Sequence, residues 1–233
     1  EMNSTPLIAW IKNAIKFKDE NLLQQALDAN GDIAKWISAI DSISINNREF
    51  AKQVARWVML KTKEEFWKFK LMEKIWSLYP DDSDSIVYAL GLLTYAPEEK
   101  FVQYLLSKHV SHEMIEQALR DSKHTKTIHL LINFYFETDQ IPKAKSLIEQ
   151  NLSIDLIKSI TSKFYPIEDA WVLSIYKTTL TKYLDSYVGP VPANKIQSLL
   201  GFLQLIKAKG LAEHLHKWLK KEFSDHPTLI EIL

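Results

Sequence analysis

The chain has 233 residues, and 46% of them are hydrophobic, which is enough to bury a core in one large domain or two small ones. Its 29 basic residues balance its 29 acidic residues, so no field of one sign draws the whole molecule toward nucleic acid or anionic lipid. Because cysteine is absent, disulfides, thiolate metal sites and cysteine nucleophiles are excluded.

Helix start and stop signals follow one another along the whole chain. Thr5 before Pro6 combines a cap with a first-turn proline, and Asn46 with Glu49 has the capping-box spacing, as does Thr62 three residues before a glutamate. Gly210 follows an apolar run at a position that favours a left-handed residue. Alternating strand patterns with Asn-Gly or Asp-Gly turns are missing. The predicted helices span 6–17, 20–30, 32–43, 47–61, 63–78, 83–95, 97–108, 112–121, 126–138, 140–151, 154–163, 167–188, 193–209, 211–223 and 226–233.

This succession of about fifteen short helices predicts an all-α fold. Connections of about two to five residues favour antiparallel neighbours, and many such hairpins in series indicate a right-handed α-solenoid-like array. We predict a helical-hairpin array over residues 1–165, with a C-terminal helical subdomain over 166–233 packed on the same array.

One stretch carries a family resemblance. Residues 130–150, "LLINFYFETDQIPKAKSLIEQ", place an aromatic-rich helix before a turn at Thr138 and Asp139, with Ala144, Leu147 and Ile148 on the following helix. This pattern resembles one hairpin of the tetratricopeptide type. The resemblance implies a helical-repeat architecture of the tetratricopeptide or HEAT class, and it implies no activity.

The aromatic and lysine-rich stretch over residues 56–80 can be projected on a helix. Apolar side chains, among them Trp67, Phe69 and Trp76, cover more than half of the circumference, so we predict a helix flanked on two sides with its aromatic residues mostly in the core. Phe66 projects onto the polar strip. We therefore predict that Phe66 is outside the core and name it a candidate partner contact.

The predicted helix over 167–188 places three tyrosines on its apolar face. These are Tyr176, Tyr183 and Tyr187. Since a buried tyrosine usually needs a partner for its hydroxyl, we expect hydrogen-bonded tyrosines in this part of the core.

Residue patterns that carry chemistry are few. "HEMIE", from His112 to Glu116, has a glutamate where the zinc metalloprotease motif requires its second histidine. The acidic residues Asp81, Asp82 and Asp84 precede a helix, where capping explains them. Gly-rich phosphate loops and Gly-x-Ser-x-Gly elbows are missing. We predict no catalytic residues, no cofactor and no metal site.

Near the end of the chain, "GLAEHLHKWLKKEF" places Leu215 and Leu219 among the residues of an apolar face. The opposite face carries a basic patch, which consists of His214, Lys217, Lys220 and Lys221. Such a patch fits phosphates or an acidic protein partner, and it equally fits an ordinary solvated face. We keep its four residues as candidate partner contacts.

The pattern as a whole predicts a non-catalytic adaptor or scaffold that binds another protein. A nucleic-acid-binding module that uses lysine patches is the first alternative, disfavoured because only three arginines are present. A helical-repeat enzyme such as a DNA glycosylase is the second alternative, on fold class alone. No segment is apolar enough for membrane insertion and no signal peptide is recognisable, so we expect a soluble, cytoplasmic protein that starts at Met2.

Overall fold

The computed structural model describes residues 5–16 and 20–233. The predicted end of the first helix at residue 17 and the expected start at Met2 lie outside the described residues. Within the described ranges the chain forms fifteen helices and no strand, and helix accounts for 78% of the residues. The prediction of an all-α fold is confirmed. Across these same ranges, no helix combines the length and the apolar character that crossing a membrane requires.

The helices follow the predicted order closely. They are α1 (Thr5–Lys16), α2 (Glu20–Ala29), α3 (Ile33–Ser44), α4 (Arg48–Lys61), α5 (Glu65–Leu78), α6 (Ser85–Tyr95), α7 (Glu99–Ser107), α8 (His112–Asp121), α9 (Thr127–Glu137), α10 (Ile141–Gln150), α11 (Ile154–Phe164), α12 (Asp169–Ser186), α13 (Pro190–Leu205), α14 (Lys209–Glu222) and α15 (Pro227–Ile232).

Side-chain caps start several of these helices, and at two positions the observed role of a residue differs from the predicted one. The carboxylate of Asp32 accepts from a backbone N–H at the start of α3, and the hydroxyl of Ser153 does so at the start of α11. Asn47, one residue beyond the predicted Asn46, caps α4. Thr62 ends α4 instead of starting α5, because its hydroxyl donates to the carbonyl of Val58 at 2.8 Å.

The chain divides into two compact units, residues 1–131 and 132–233. In the first unit, α3 packs on α4, α4 on α5, α5 on α6 and α6 on α7, and next-but-one contacts join α1 to α3, α3 to α5 and α6 to α8. In the second unit, α11 packs on α12 and α13 on α14, and next-but-one contacts join α12 to α14 and α13 to α15. This contiguous packing is compatible with a helical repeat. The predicted boundary at 165/166 stays a prediction.

Three helix ends share one turn geometry. After α7, α9 and α13, a residue other than glycine takes the left-handed conformation: His109 at φ 55°, Asp139 at φ 57° and Lys207 at φ 65°. Each turn makes both backbone bonds of a Schellman motif. The 6→1 bonds run from the backbone N–H of Val110 to the carbonyl of Leu105, from that of Gln140 to Tyr135 and from that of Ala208 to Leu203. The 5→2 bonds run from the N–H of His109 to the carbonyl of Leu106, from that of Asp139 to Phe136 and from that of Lys207 to Gln204.

These turns confirm one prediction and correct another. The turn predicted at Thr138 and Asp139 is present between α9 and α10. Gly210 was predicted to be the left-handed residue after the preceding helix, but it lies in the first turn of α14. Lys207 takes the left-handed role because α13 already ends at Leu205.

The aromatic residues of α5 are half-buried and not fully in the core. Leu71 and Ile75 are the fully buried residues of this helix. The ring of Phe69 stacks on that of Tyr95 at a centroid distance of 3.6 Å. The indole of Trp76 makes edge contacts with the rings of two α7 residues, Phe101 at 5.1 Å and Tyr104 at 5.3 Å. The prediction of a helix flanked on two sides holds, but large rings reach the surface at its edges.

Tyr176 is the buried tyrosine of α12, and it has a hydroxyl partner. Its hydroxyl lies 2.6 Å from Oγ1 of Thr161, which donates its own proton to the carbonyl of Ile157. Because Thr161 has a single hydroxyl proton, Tyr176 is the donor in this pair. Burial raises the pKa of Tyr176 to about 12, against the smaller lowering effect of Thr161.

The Schellman turns generate a stability prediction. We expect Lys207→Gly to raise the free energy of unfolding by about 0.5–1 kcal/mol, since relief of left-handed strain exceeds the extra chain entropy of glycine. The matched control is Lys217→Gly in the middle of α14, which should lower the free energy of unfolding by about 1 kcal/mol. Urea unfolding measures both. Equal losses for the two variants would contradict the assigned turn.

The buried phenol of Tyr176 generates a pH prediction. The unfolded chain loses this proton near pH 10 and the folded chain near pH 12, so its stabilising contribution is complete below pH 10 and declines as the pH rises toward 12. Tyr176→Phe should flatten the loss of stability above pH 10 and cost about 1 kcal/mol at neutral pH, because the bond to Thr161 is lost. Urea unfolding over a pH series tests this, and equal slopes for wild type and Tyr176→Phe would reject it.

Candidate functional site

Phe66, the candidate contact of the first unit, lies on the surface. Its side chain is 50% exposed, and its ring makes an edge contact with Trp67 at 5.0 Å. Phe69, one helical turn further along α5, lines an open groove of about 610 Å³ together with Tyr95 and Lys123. The exposure of Phe66 is as predicted, and its role as a partner contact stays a prediction.

The basic patch of α14 is also on the surface, in the second unit. His214, Lys217, Lys220 and Lys221 are all exposed, while Leu215 and other residues of the opposite face are buried. Among the described residues, no ion pair engages these three lysines. The four candidates therefore share one exposed helix face, and their role in binding stays a prediction.

The acidic loop between α5 and α6 forms an ion-pair cluster in the first unit. Lys52 of α4 is only 6% exposed, pairs with Asp82, and has its Nζ 4.8 Å from the centroid of the Tyr79 ring. Arg56 of the same helix pairs with Asp84. Nζ of Lys108 lies 2.6 Å from Oδ1 of Asp81. The predicted capping role is wrong for Asp84, which occupies the N-cap of α6 but makes no cap bond because its carboxylate is held by Arg56.

Tyr104 completes this cluster from α7. Its hydroxyl donates to the carbonyl of Pro80 at the start of the loop. Burial raises the pKa of Tyr104, Asp81 raises it further, and Lys108 opposes the shift. The phenol is therefore neutral at physiological pH. The cluster pins the loop through paired charges, which is a structural use of its acids and bases.

The histidines noted in the sequence form no metal centre in the part of the chain that is described. No group of three or more histidine and acidic side chains there could hold a metal ion.

The connection between α12 and α13 exposes a run of apolar residues that sequence reasoning had not singled out as a site. Tyr187 is 59% exposed, and Val188 and Val191 are each 77% exposed. The prediction that Tyr187 lies on the apolar face of its helix is wrong. Because α12 ends at Ser186, Tyr187 has extended backbone at φ −138°, ψ 123°, so the helical phase no longer sets its direction. We refer to residues 187–191 as the apolar turn.

Backbone restraints fix the apolar turn. Gly189 has φ 112° and ψ −167°, a region that side-chain-bearing residues rarely adopt. Pro190 starts α13 with its φ already restricted, and Pro192 is buried. His226 and Leu229, near the start of α15, line a small cavity of about 90 Å³ with residues of the turn. The exposed side chains therefore stand on a conformationally restricted support.

A polar groove of about 700 Å³ adjoins the apolar turn. Its lining comes from the α10–α11 connection, from the second half of α12 and from Lys195 of α13. The rings of Tyr183 and Tyr187 are 5.2 Å apart, and Nζ of Lys195 lies 5.6 Å from the centroid of the Tyr183 ring. Lys182 also lines this cavity, which we call the tyrosine groove.

The apolar turn and the tyrosine groove form one continuous surface. Tyr187 belongs to both, and Val191 precedes Lys195 by four residues on α13, so their side chains are neighbours. The sequence did contain a signal for this surface. In "YVGPVP", five of the six residues are tyrosine, valine or proline, which is unusual for a connection exposed to water. Only the helix break was inferred from it.

No family model matches the chain, and comparisons with curated proteins and with solved structures also find no match.

Proposed function

We propose that this chain is a non-catalytic protein-binding module that acts as an adaptor or scaffold. The observation that carries the proposal is the apolar turn, where Tyr187, Val188 and Val191 present apolar side chains to water on a restricted backbone. Exposed apolar residues that are clustered, ordered and next to a groove are typical of protein interaction sites. Binding to such a surface needs no reactive group.

We also propose that each unit is built as a right-handed α-solenoid-like array of antiparallel hairpins of the tetratricopeptide or HEAT class. The recurrence of one Schellman turn after α7, α9 and α13 supports this architecture, as does the packing of next-but-one helices. Stacked hairpins expose ridges and grooves that suit protein partners. A cytoplasmic location stays part of the proposal.

Two alternatives remain. The unpaired lysines of the basic patch favour the nucleic-acid alternative, but arginine occurs only at positions 48, 56 and 120, and phosphate recognition relies strongly on arginine. The enzyme alternative, a helical-repeat enzyme such as a DNA glycosylase, has the least support. The strongest charge cluster, around Asp82 and Asp84, is engaged in ion pairs with Lys52 and Arg56.

The first test removes the apolar turn. We expect Val188→Ser/Val191→Ser to lose a protein partner that co-purifies with the wild-type chain from its native cells, because the variant loses the exposed apolar contact area. Leu205→Ser is the matched control, since Leu205 is 84% exposed in the same unit but lies at the other end of α13. Quantitative mass spectrometry of the co-purified proteins compares the variants.

Both substitutions should leave the melting temperature within a few degrees of wild type, since exposed sites contribute about 0.5 kcal/mol or less. Phe66→Ala provides a second site to compare, in the first unit. The proposal requires a protein that co-purifies with wild type and with Leu205→Ser but not with the double variant. If no such protein is found, the apolar turn is not a protein-binding site.

The second test addresses the nucleic-acid alternative. We expect the wild-type chain to bind labelled single-stranded and double-stranded DNA no tighter than about 10⁻⁵ M near physiological salt. Lys217→Glu/Lys220→Glu/Lys221→Glu should then change little. Fluorescence anisotropy measures both. Submicromolar binding that falls with salt and is abolished by the triple variant would replace the adaptor function with nucleic-acid binding.

A further inference from the structure

Two lysines of the tyrosine groove have no acidic partner. Among the described residues neither Lys182 nor Lys195 forms an ion pair, and the ammonium of Lys195 has only the face of Tyr183 beside it. Lys145 of the same unit, by contrast, pairs with Glu168 at 3.2 Å. The two groove lysines are therefore available to a ligand.

The acidic residues of the tyrosine groove each have a stabilising local contact. Oε1 of Glu149 accepts a hydrogen bond from Nε1 of Trp171 at 2.7 Å. Asp155 lies in the first turn of α11, where the positive end of the helix dipole stabilises a carboxylate. The two acids therefore have favourable local partners, whereas the two lysines have no carboxylate.

Several polar side chains of the tyrosine groove already donate hydrogen bonds within the protein. Thr178, Thr179 and Ser186 use their hydroxyl protons on carbonyls of α12. The amide of Asn151 donates to the carbonyl of Leu147 at 2.8 Å. Among the groove donors that make no hydrogen bond in the described structure are the two ammonium groups and the phenols of Tyr183 and Tyr187. Such donors suit carboxylates.

We propose that the apolar turn and the tyrosine groove bind an acidic amphipathic segment of a partner protein. Apolar side chains of the segment pack on Tyr187, Val188 and Val191, and its carboxylates reach Lys182 and Lys195. This proposal rests on the protein-binding function proposed above and adds the chemistry of the partner. Lysine at the rim of an apolar contact supplies specificity and association rate, and the apolar contact supplies most of the affinity.

A protein segment fits this surface better than a nucleic acid strand does. The tyrosines could stack on bases, but Val188 and Val191 offer no ring, and no arginine lines the groove. A peptide supplies apolar side chains that pack on the valines, which a nucleic acid backbone does not.

Selection from a phage-displayed library of short random peptides tests the proposal. Peptides retained by the full chain should be enriched in Asp and Glu next to Leu, Phe or Trp. Synthetic, fluorescein-labelled copies should bind Lys182→Glu/Lys195→Glu about tenfold or more weakly than wild type, because attraction becomes repulsion. Lys207→Glu/Lys209→Glu makes the same charge change at the start of α14 in the same unit, and it should leave the affinity within about twofold of wild type.

Further variants make the outcome independent of folding. Lys182→Gln/Lys195→Gln neutralises the groove without repulsion and should show an intermediate loss of affinity. Peptides whose acids are exchanged for lysine should bind Lys182→Glu/Lys195→Glu better than they bind wild type, which an unfolded variant cannot do. Circular dichroism should show unchanged helix content in every variant.

The possible results separate the two proposals. Selected peptides without acidic enrichment would overturn the acidic-segment proposal, as would an equal loss of peptide affinity in the groove variant and in the α14 control variant. If such peptides nevertheless failed to bind Val188→Ser/Val191→Ser, the protein-binding function would stand. If no peptide were selected and no partner co-purified, both proposals would fail. Tighter binding of oligo(dT) than of any selected peptide, lost in the groove variant, would assign the groove to nucleic acid.

Discussion

Burial of apolar helix faces against neighbouring helices is the interaction on which the rest of this structure depends. The helices contain only 6–18 residues, and isolated helices of such lengths are marginal in water. Each must therefore be stabilised by its neighbours. Trp36 and Ile40 on α3, Val58 on α4 and Ile75 on α5 belong to one buried cluster, so residues from successive helices supply each other's apolar surroundings. Short connections keep those successive helices in reach of one another.

Dense packing of short helices places strong demands on the connections. The Schellman turns after α7, α9 and α13 satisfy the last carbonyls of a helix and reverse the chain within a few residues. The first of these turns uses His109 in the left-handed region, where glycine would be less strained. In the first unit, the loop after α5 is instead held by ion pairs from Lys52 and Arg56. Backbone hydrogen bonds and ion pairs thus perform the same task at different connections.

Side chains left over from this packing define the surfaces available for function. Phe66, in the first turn of α5, remains half exposed. The apolar turn remains exposed because α12 ends before Tyr187 and α13 starts at Pro190. These side chains could have been polar at little cost to stability, since water already surrounds them. Apolar residues there, beside two lysines that form no ion pair in the described structure, are the reason we propose this surface as a contact for another protein.

The sequence by itself determined the helical class, the number and order of the helices and the exposure of Phe66, because caps, turn residues and helical periodicity act over a few neighbouring residues. Tertiary structure alone decided which large rings stay half-buried, as with Trp76 between Phe101 and Tyr104, and which acids pair with Lys52. It also decided that Tyr187 leaves the helical phase and joins the tyrosine groove. Those outcomes depend on residues distant in sequence and on the residue at which a helix ends, and local periodicity specifies neither.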